Sequence, residues 1–364
     1  MKRRLGVLSG GGDCPGINAV IHAVVKRAIL TYDYEVVGIL DGFEGLVEGR
    51  YRNLEYNDVS GILPLGGTIL GTSNRANPFR YPVRRGDEVI FEDRSKDLLE
   101  HFEKLRLSAL IVIGGDGTFH IASELLRLGL PVVGVPKTID NDLNATDITF
   151  GFDSAVHVVT EAIDRLHTTA QSHHRVMVVE VMGRYAGWIA LHGGIAGGGD
   201  VILIPEIPFD TEGVCNFILE RRKKGKRFSI VVVAEGAKPL GGDMVVQRIV
   251  KESHDQIRLG GVSHAVGRAI EEKTGLETRV VILGHLQRGG SPTAFDRVLA
   301  TRLGAKAVDL VAQGDFGYFP AVRGQDIVPA RIEEAIACLK TVPLDSPLLD
   351  IARSMGTYLG AERK

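Results

Sequence analysis

Residues 109–142 read ALIVIGGDGTFHIASELLRLGLPVVGVPKTIDND. A short apolar run, Ala109 to Ile113, enters the glycine turn Gly114-Gly115-Asp116-Gly117-Thr118, and apolar residues then recur at helical spacing from Thr118 to Leu128. A second β-branched run, Val132 to Val135, ends in Pro136-Lys137-Thr138-Ile139-Asp140-Asn141-Asp142. Strand, helix and strand in this order form the unit of a parallel sheet covered by helices. The polar cluster therefore falls at the carboxyl end of a buried strand, where open α/β sheets bind ligands. A carboxylate held there can take a proton from a hydroxyl. Asn and Asp also favour solvated turns for local hydrogen-bonding reasons, so the cluster alone supports either reading.

The same alternation runs outward in both directions. Strands are predicted at Leu5–Leu8, Glu35–Leu40, Val176–Val181, Val201–Ile204, Ile230–Ala234 and Arg279–Leu283, beside the two already named. Helices are predicted at Ile17–Leu30, Ala155–Thr169, Tyr185–Ile195, Thr211–Arg222, His264–Lys273 and Thr293–Val311, beside Thr118–Leu128. The fold class is α/β: two Rossmann-like, doubly wound domains with mainly parallel sheets. A boundary is placed near Gly151, with residues 1–151 plus 287–336 as one domain and 152–286 plus 337–364 as the other.

The 364 residues are enough for two such cores, and 44% apolar with 24% charged residues is the balance of a globular chain. The net charge of -2 provides no general attraction to nucleic acid or anionic lipid, so anion binding must come from local clusters. Three scattered cysteines, Cys14, Cys215 and Cys338, suggest neither a disulfide framework nor a zinc site. With no apolar stretch long enough to span a bilayer and no signal-peptide pattern, a cytoplasmic protein is expected. The basic run Arg221 to Arg227 reads as the cation-decorated end of a helix, although an effector anion would also suit it.

Three further groups carry chemistry. Ser9-Gly10-Gly11-Gly12-Asp13-Cys14-Pro15-Gly16, between the first strand and helix, is a candidate phosphate cradle, since successive glycines let backbone N–H groups approach phosphate oxygens. It lacks the dinucleotide spacing, because the sixth residue from Gly10 is Pro15. Asp116, in a second such turn, suits Mg²⁺ bridging nucleotide phosphates, and Thr118 either contacts the ligand or caps the helix. Arg175, Met182-Gly183-Arg184, Arg279 and His285-Leu286-Gln287-Arg288-Gly289-Gly290 flank strands of the second half and are read as converging on one phosphate monoester. Glu235 adds an acceptor for sugar hydroxyls.

Taken together and in this order, GGDGT, PKTIDND, MGR and HLQRGG resemble the 6-phosphofructokinase family over nearly the whole chain. The resemblance implies transfer of a phosphoryl group to the C1 hydroxyl of fructose 6-phosphate, with Mg²⁺ and, by preference, ATP. It implies that Asp140 is the general base, with Thr138 and Asp142 completing the transfer site, and that Gly12 donates to the transferring group. Arg184 resembles the charge-stabilising arginine. Met182, Gly183 and Glu235 resemble the sugar contacts, and Arg175, Arg279, His285 and Arg288 the 6-phosphate clamp. Gly12, Arg75, Gly115, Asp116, Gly117, Thr118 and Lys137 fall at donor positions, with Asp116 as the metal carboxylate.

In the family, Arg175 and Arg279 reach in from a neighbouring subunit, so a homotetramer, or a dimer, with shared sites is implied. Gly117 matches the ATP-dependent pattern, and Lys137 the pyrophosphate-dependent one. The loop Ile69 to Pro78 is one residue longer than in short bacterial members. His22 and Lys26 replace the effector arginines of regulated members. A sensor that has lost catalysis is a third reading, opposed by the presence of Asp116, Asp140 and Arg184.

Overall fold

The computed structural model describes residues 2–86, 88–249 and 257–361. The first half consists of β1 (Arg4–Ser9), α1 (Ile17–Tyr32), β2 (Glu35–Ile39), α2 (Phe43–Glu48), β3 (Tyr51–Leu54), β4 (Tyr81–Arg85), β5 (Glu88–Glu92), α3 (Ser95–Lys104), β6 (Leu107–Gly114), α4 (Asp116–Arg127) and β7 (Val132–Pro136). These give a sheet of order β3-β2-β1-β6-β7, parallel except for the edge strand β3. The order reverses between β1 and β6, so a crevice opens there at the carboxyl ends of the strands.

The second half consists of α5 (Phe152–His173), β8 (Val176–Val181), α6 (Trp188–Ala196), β9 (Val201–Leu203), α7 (Thr211–Lys223), β10 (Ser229–Ala234), β11 (Val246–Ile249), β12 (Ile257–Leu259), α8 (Val262–Thr274) and β13 (Thr278–Ile282). Its sheet, β13-β8-β10-β9, is parallel throughout. A 3-10 turn, Gly284–Arg288, leads back to α9 (Ala294–Gln313), the hairpin β14 (Tyr318–Arg323) and β15 (Asp326–Arg331), α10 (Ile332–Ile336) and α11 (Pro347–Ser354).

Period-two alternation assigns side chains to layers. Val7, Ile111, Ile113, Val133 and Val135 face a central core shared with Val179, Val181, Ile230 and Val232 of the second sheet, filled by α1, α5, α6 and α9. Leu8, Leu110, Val112 and Val132 turn to the opposite face, against Leu98 of α3 and Phe119 of α4. Val176, Val178, Val231 and Val233 turn outward under α7 and α8. Strands buried on both faces explain the nearly unbroken apolar runs. Each fully buried Val, Leu or Ile contributes about 1.5–3 kcal/mol.

All eight predicted strands are present. Five helices begin elsewhere than predicted: α4 at Asp116, α5 at Phe152, α6 at Trp188, α8 at Val262 and α9 at Ala294. α5 begins early because Gly151, at φ 95°, supplies its N-cap. The chain returns to the first sheet through α9, which packs on α1, and β14 runs beside β7, with Gly317 N–H donating to Val132 O at 2.8 Å. The last segment docks on the second sheet through Tyr358, whose carbonyl accepts from Ile202 N at 2.9 Å. Arg221, Arg222 and Lys223 occupy the last turn of α7 as expected, and Arg221 pairs with Asp200 at 2.6 Å.

Candidate active site

Carboxyl ends of strands from both sheets border one cleft of about 680 Å³. From the first sheet it receives Gly11 and Gly12 after β1, Gly115, Asp116, Gly117 and Thr118 after β6, and Lys137, Thr138, Asp140 and Asp142 after β7. From the second it receives Met182 and Arg184 after β8, Glu235 after β10, and His285 and Arg288 from the turn after β13.

The two glycine turns are held together by packing. Thr118 is buried, and a Cβ at Gly10 would lie 2.8 Å from its Oγ1, one at Gly114 2.2 Å from its Cβ. Only glycine at both positions admits the threonine between the turns. Thr118 does not cap α4: the N-cap is Gly115, with no side-chain cap, and Asp116 opens the first turn. A carboxylate there meets the positive end of the helix, and it also lies 3.5 Å from His120. Arg75 reaches the cleft on a loop fastened to the first turn, where Gly11 N–H donates to Ser73 O at 3.1 Å and Thr72 Oγ1 to Gly11 O at 2.7 Å.

The loop after β7 is closed on itself, which decides against a solvated turn. Ile139 and Asn141 are buried, Asn141 Oδ1 accepts from Thr149 N at 3.1 Å, and Thr149 Oγ1 donates to Thr138 O at 2.7 Å. Asp140 N–H donates to Thr138 Oγ1 at 3.1 Å. Burial raises the Asp140 carboxyl above its ordinary range against the pull of Arg288, Arg184 and Lys137. Asp142 is pushed up to about 7 by burial and by the Asp140 charge, and its Oδ1 is buried without a hydrogen-bond partner. The Lys137 ammonium, pulled below its ordinary value by burial, donates to Gly12 O. The adjacent Cys14 thiol is pushed up to about 12 by burial and stays neutral.

On the opposite wall, Glu235 is raised to about 7 by burial and by Asp140, with Arg184 opposing. Arg288 Nη1 donates to Asp13 O at 3.0 Å, tying the second wall to the first glycine turn. Gly183, at φ 137°, shapes the turn between Met182 and Arg184 but is not part of the cleft lining.

Arg175 and Arg279 are not brought together with the other cations within this chain. They stand at the amino ends of β8 and β13, and neither lines the cleft. A parallel sheet sends its two strand ends to opposite sides, and there both arginines pair with Glu277, Arg175 at 2.8 Å.

Some residues escaped the sequence reading. Gln287 is fully buried; its Oε1 accepts from Met182 N at 3.2 Å and its Nε2 donates to Gly284 O at 3.1 Å, joining the turns after β8 and β13. Its place inside HLQRGG was the available signal. Phe43, Tyr185, Leu259 and Leu339 also line the cleft, and no motif marks them. Among the described residues, no three His, Cys, Asp or Glu side chains form a metal-binding group, and no helix is long and apolar enough to cross a membrane.

A family model described as Phosphofructokinase matches residues 4–311. The ATP-dependent 6-phosphofructokinase of Chloroflexus aurantiacus is 55% identical over 362 residues, 99% of each chain. The pyrophosphate–fructose 6-phosphate 1-phosphotransferase of Streptomyces coelicolor is 54% identical over 340 residues, 93% of this chain and 96% of that one. Among solved structures, phosphofructokinase of Pichia pastoris in the T-state is similar at a TM-score of 0.79 and 33% identity, over 93% of this chain. This chain spans 36% of the length of that one.

Proposed function

The chain belongs to the phosphofructokinase family of phosphotransferases, and on that premise we propose that it transfers the γ-phosphoryl group of MgATP to the C1 hydroxyl of fructose 6-phosphate in glycolysis. The observation that carries this reading is one cleft in which a half-buried carboxylate, Asp140, shares space with Asp116 of the glycine turns and with Arg184. The C1 oxygen attacks the γ-phosphorus and loses its proton to Asp140; the bond from phosphorus to the bridging oxygen breaks, releasing ADP. Arg184 neutralises charge on the moving group, and the N–H groups of the first glycine turn, Gly12 among them, orient its oxygens. Thr138 and Asp142 hold the loop that aims Asp140.

Met182, Gly183 and Glu235 are assigned to the sugar, and His285 and Arg288 to its 6-phosphate. Arg175 and Arg279 serve the 6-phosphate of a neighbouring subunit in a homotetramer or dimer, a role their place outside the chain's own cleft accommodates. Mg²⁺ fits the donor set: Asp116 offers a hard carboxylate oxygen, and this ion takes one or two such ligands with substrate phosphates completing its shell. Asp116 would hold it, and the ion would supply charge neutralisation to the donor phosphates. Gly115, Gly117, Thr118 and Arg75 complete the donor side. The same proposal assigns donor binding to residues 1–151 with 287–336 and sugar binding to 152–286 with 337–364; positions 1, 87, 250–256 and 362–364 lie outside the described residues. The protein is assigned to the cytoplasm.

Gly117 supports ATP, because it presents no side chain to the α-phosphate. Lys137 supports pyrophosphate as the second reading, and relatives of nearly equal identity carry both names. Initial rates of fructose 1,6-bisphosphate formation with ATP and with pyrophosphate, run in parallel, separate the two. ATP alone should support turnover, and pyrophosphate-only activity would reverse the donor assignment. Lys137→Gly should shift the KM of the donor more than that of fructose 6-phosphate; a shift in the sugar alone would displace Lys137 from the donor side.

A further inference from the structure

The base and the charge-stabilising arginine come from different sheets, so something must fix one relative to the other. A segment from the far end of the chain does so. Lys340 extends its ammonium to three acceptors of the Asp140 loop: Asn141 Oδ1 at 2.9 Å, Thr146 O at 2.9 Å and Asp147 O at 3.0 Å. Its own N–H donates to Asp142 O at 2.8 Å. That loop needs restraint, since Asn141 and Ala145 both take left-handed backbone conformations, at φ 50° and 58°.

On its other side the segment grips the loop that carries Arg184. Trp188 Nε1, at the start of α6, donates to Lys340 O at 2.8 Å. Two residues on, Val342 N–H donates to Glu206 Oε1 at 2.8 Å, and the same carboxylate accepts from Gly187 N at 2.9 Å. The stretch 340–342 thus spans from the base-bearing loop to the arginine-bearing one, with a charge-assisted anchor at one end.

We propose that Lys340 is a positioning residue for phosphoryl transfer, holding the Asp140–Asp142 loop in register with Arg184 across the cleft. The proposal rests on the phosphotransferase reading given above. Lys340 does not line the cleft, so its loss should move turnover rather than binding. Misplacement of a reacting group by about 1 Å can cost on the order of a hundredfold in rate.

The test compares wild type, Lys340→Met, Lys340→Arg and Trp188→Phe in steady-state assays with fructose 6-phosphate and MgATP. Lys340→Met should lower kcat by about 10- to 100-fold while both KM values stay within about twofold. Lys340→Arg, which keeps a cation for the same acceptors, should recover part of that loss, and Trp188→Phe should lower kcat by about 2- to 5-fold. An unchanged kcat in Lys340→Met, or a loss matched by a rise in both KM values, overturns the proposal. Should Lys340→Met fail to melt cooperatively, Trp188→Phe decides on the same criterion: a fall in kcat alone upholds the brace, and an unchanged kcat removes it. A wild-type protein that makes no fructose 1,6-bisphosphate fails before any variant is read, and would overturn the phosphotransferase reading and this one together.

Discussion

The two walls of the cleft are built on opposite principles. On the first-sheet wall, the glycine turns after β1 and β6 present main chain, and their geometry is set by steric fit around the buried Thr118. On the second-sheet wall, the turns after β8, β10 and β13 present charged side chains, Arg184, Glu235, His285 and Arg288. A wall of N–H groups grips any phosphate chain of the right width, whereas a wall of side chains discriminates by the spacing of charge and hydroxyls. The first is specified by what is missing from its residues, the second by what they carry. Asp140 and Asp142 stand where the two meet, and there the electrostatic cost concentrates: burial raises both carboxyls, and the Asp140 charge raises Asp142 further.

The largest break in this comparison comes from Asp140→Ala, which removes the proposed base while leaving both walls intact. Turnover should fall by about a thousandfold, with fructose 6-phosphate affinity by calorimetry changed by no more than about threefold; wild-type-like turnover would remove Asp140 from the role of base. The pH dependence follows from sign. With its carboxyl held above the ordinary range, Asp140 gains the ionised, proton-accepting form as pH rises, so wild-type kcat/KM should climb along the acid limb. Asp142 and Glu235, both near 7, titrate with it, so the limb belongs to the cluster. The residual rate of Asp140→Ala should lose most of that slope. Mixing dissociated Asp140→Ala with Arg279→Ala and reassembling them should restore part of the activity if subunits share sites.

The contrast between walls also governs what could be read from the chain. Buried parallel strands announce themselves as apolar runs, and all eight were placed. The antiparallel edge strand β3 was not, because three of its four residues, Tyr51, Arg52 and Asn53, are exposed and only Leu54 is buried. β14 and β15 pair Pro320 with Pro329, and proline ordinarily argues against a strand. Glycine turns and PKTIDND were legible because their chemistry is local. Gln287 and Lys340 were not singled out as site residues, since each acts through backbone groups distant in sequence, Lys340 on residues nearly 200 positions away. Arg175 and Arg279 stand outside the chain's own cleft because a parallel sheet sends the amino ends of β8 and β13 to the side away from it.

A smaller effect tests where the walls touch. A Cβ at Gly12 would lie 2.8 Å from Arg288 Nη1, the mobile end of a long side chain, so Gly12→Ala should fold normally while displacing Arg288 from Asp13 O. The KM for fructose 6-phosphate should rise about tenfold, the cost of one charge-assisted contact, with a lesser change for the donor. Gly10→Ala meets the buried Thr118 instead and should cost about 1–3 kcal/mol of stability, read by denaturant unfolding. If Gly12→Ala raised only the donor KM, Arg288 would belong to the first wall and the division between walls would fail.

The smallest expected effect lies at the seam beneath the cleft, where α5 and α9 begin side by side. Ser154 N and Oγ donate to Asp296 Oδ2 at 2.8 and 2.6 Å, and Thr293 N–H donates back to Ser154 Oγ at 3.0 Å. Burial raises the Asp296 carboxyl to about 6 against these bonds, and its Oδ1 has no partner. The folded protein therefore holds a proton on Asp296 that the unfolded chain releases near the ordinary value of 3.8. Stability from this group is fully present below that value and is lost as pH rises through 6. The loss is on the order of 1–3 kcal/mol. Asp296→Asn keeps an acceptor for Ser154 and cannot ionise, so urea unfolding at several pH values should show the variant gaining on wild type between about pH 4 and 6. A difference that stays constant with pH would mean the carboxylate is ionised in both states, and the seam would then be held by charge in the manner of the second wall instead of by fit in the manner of the first.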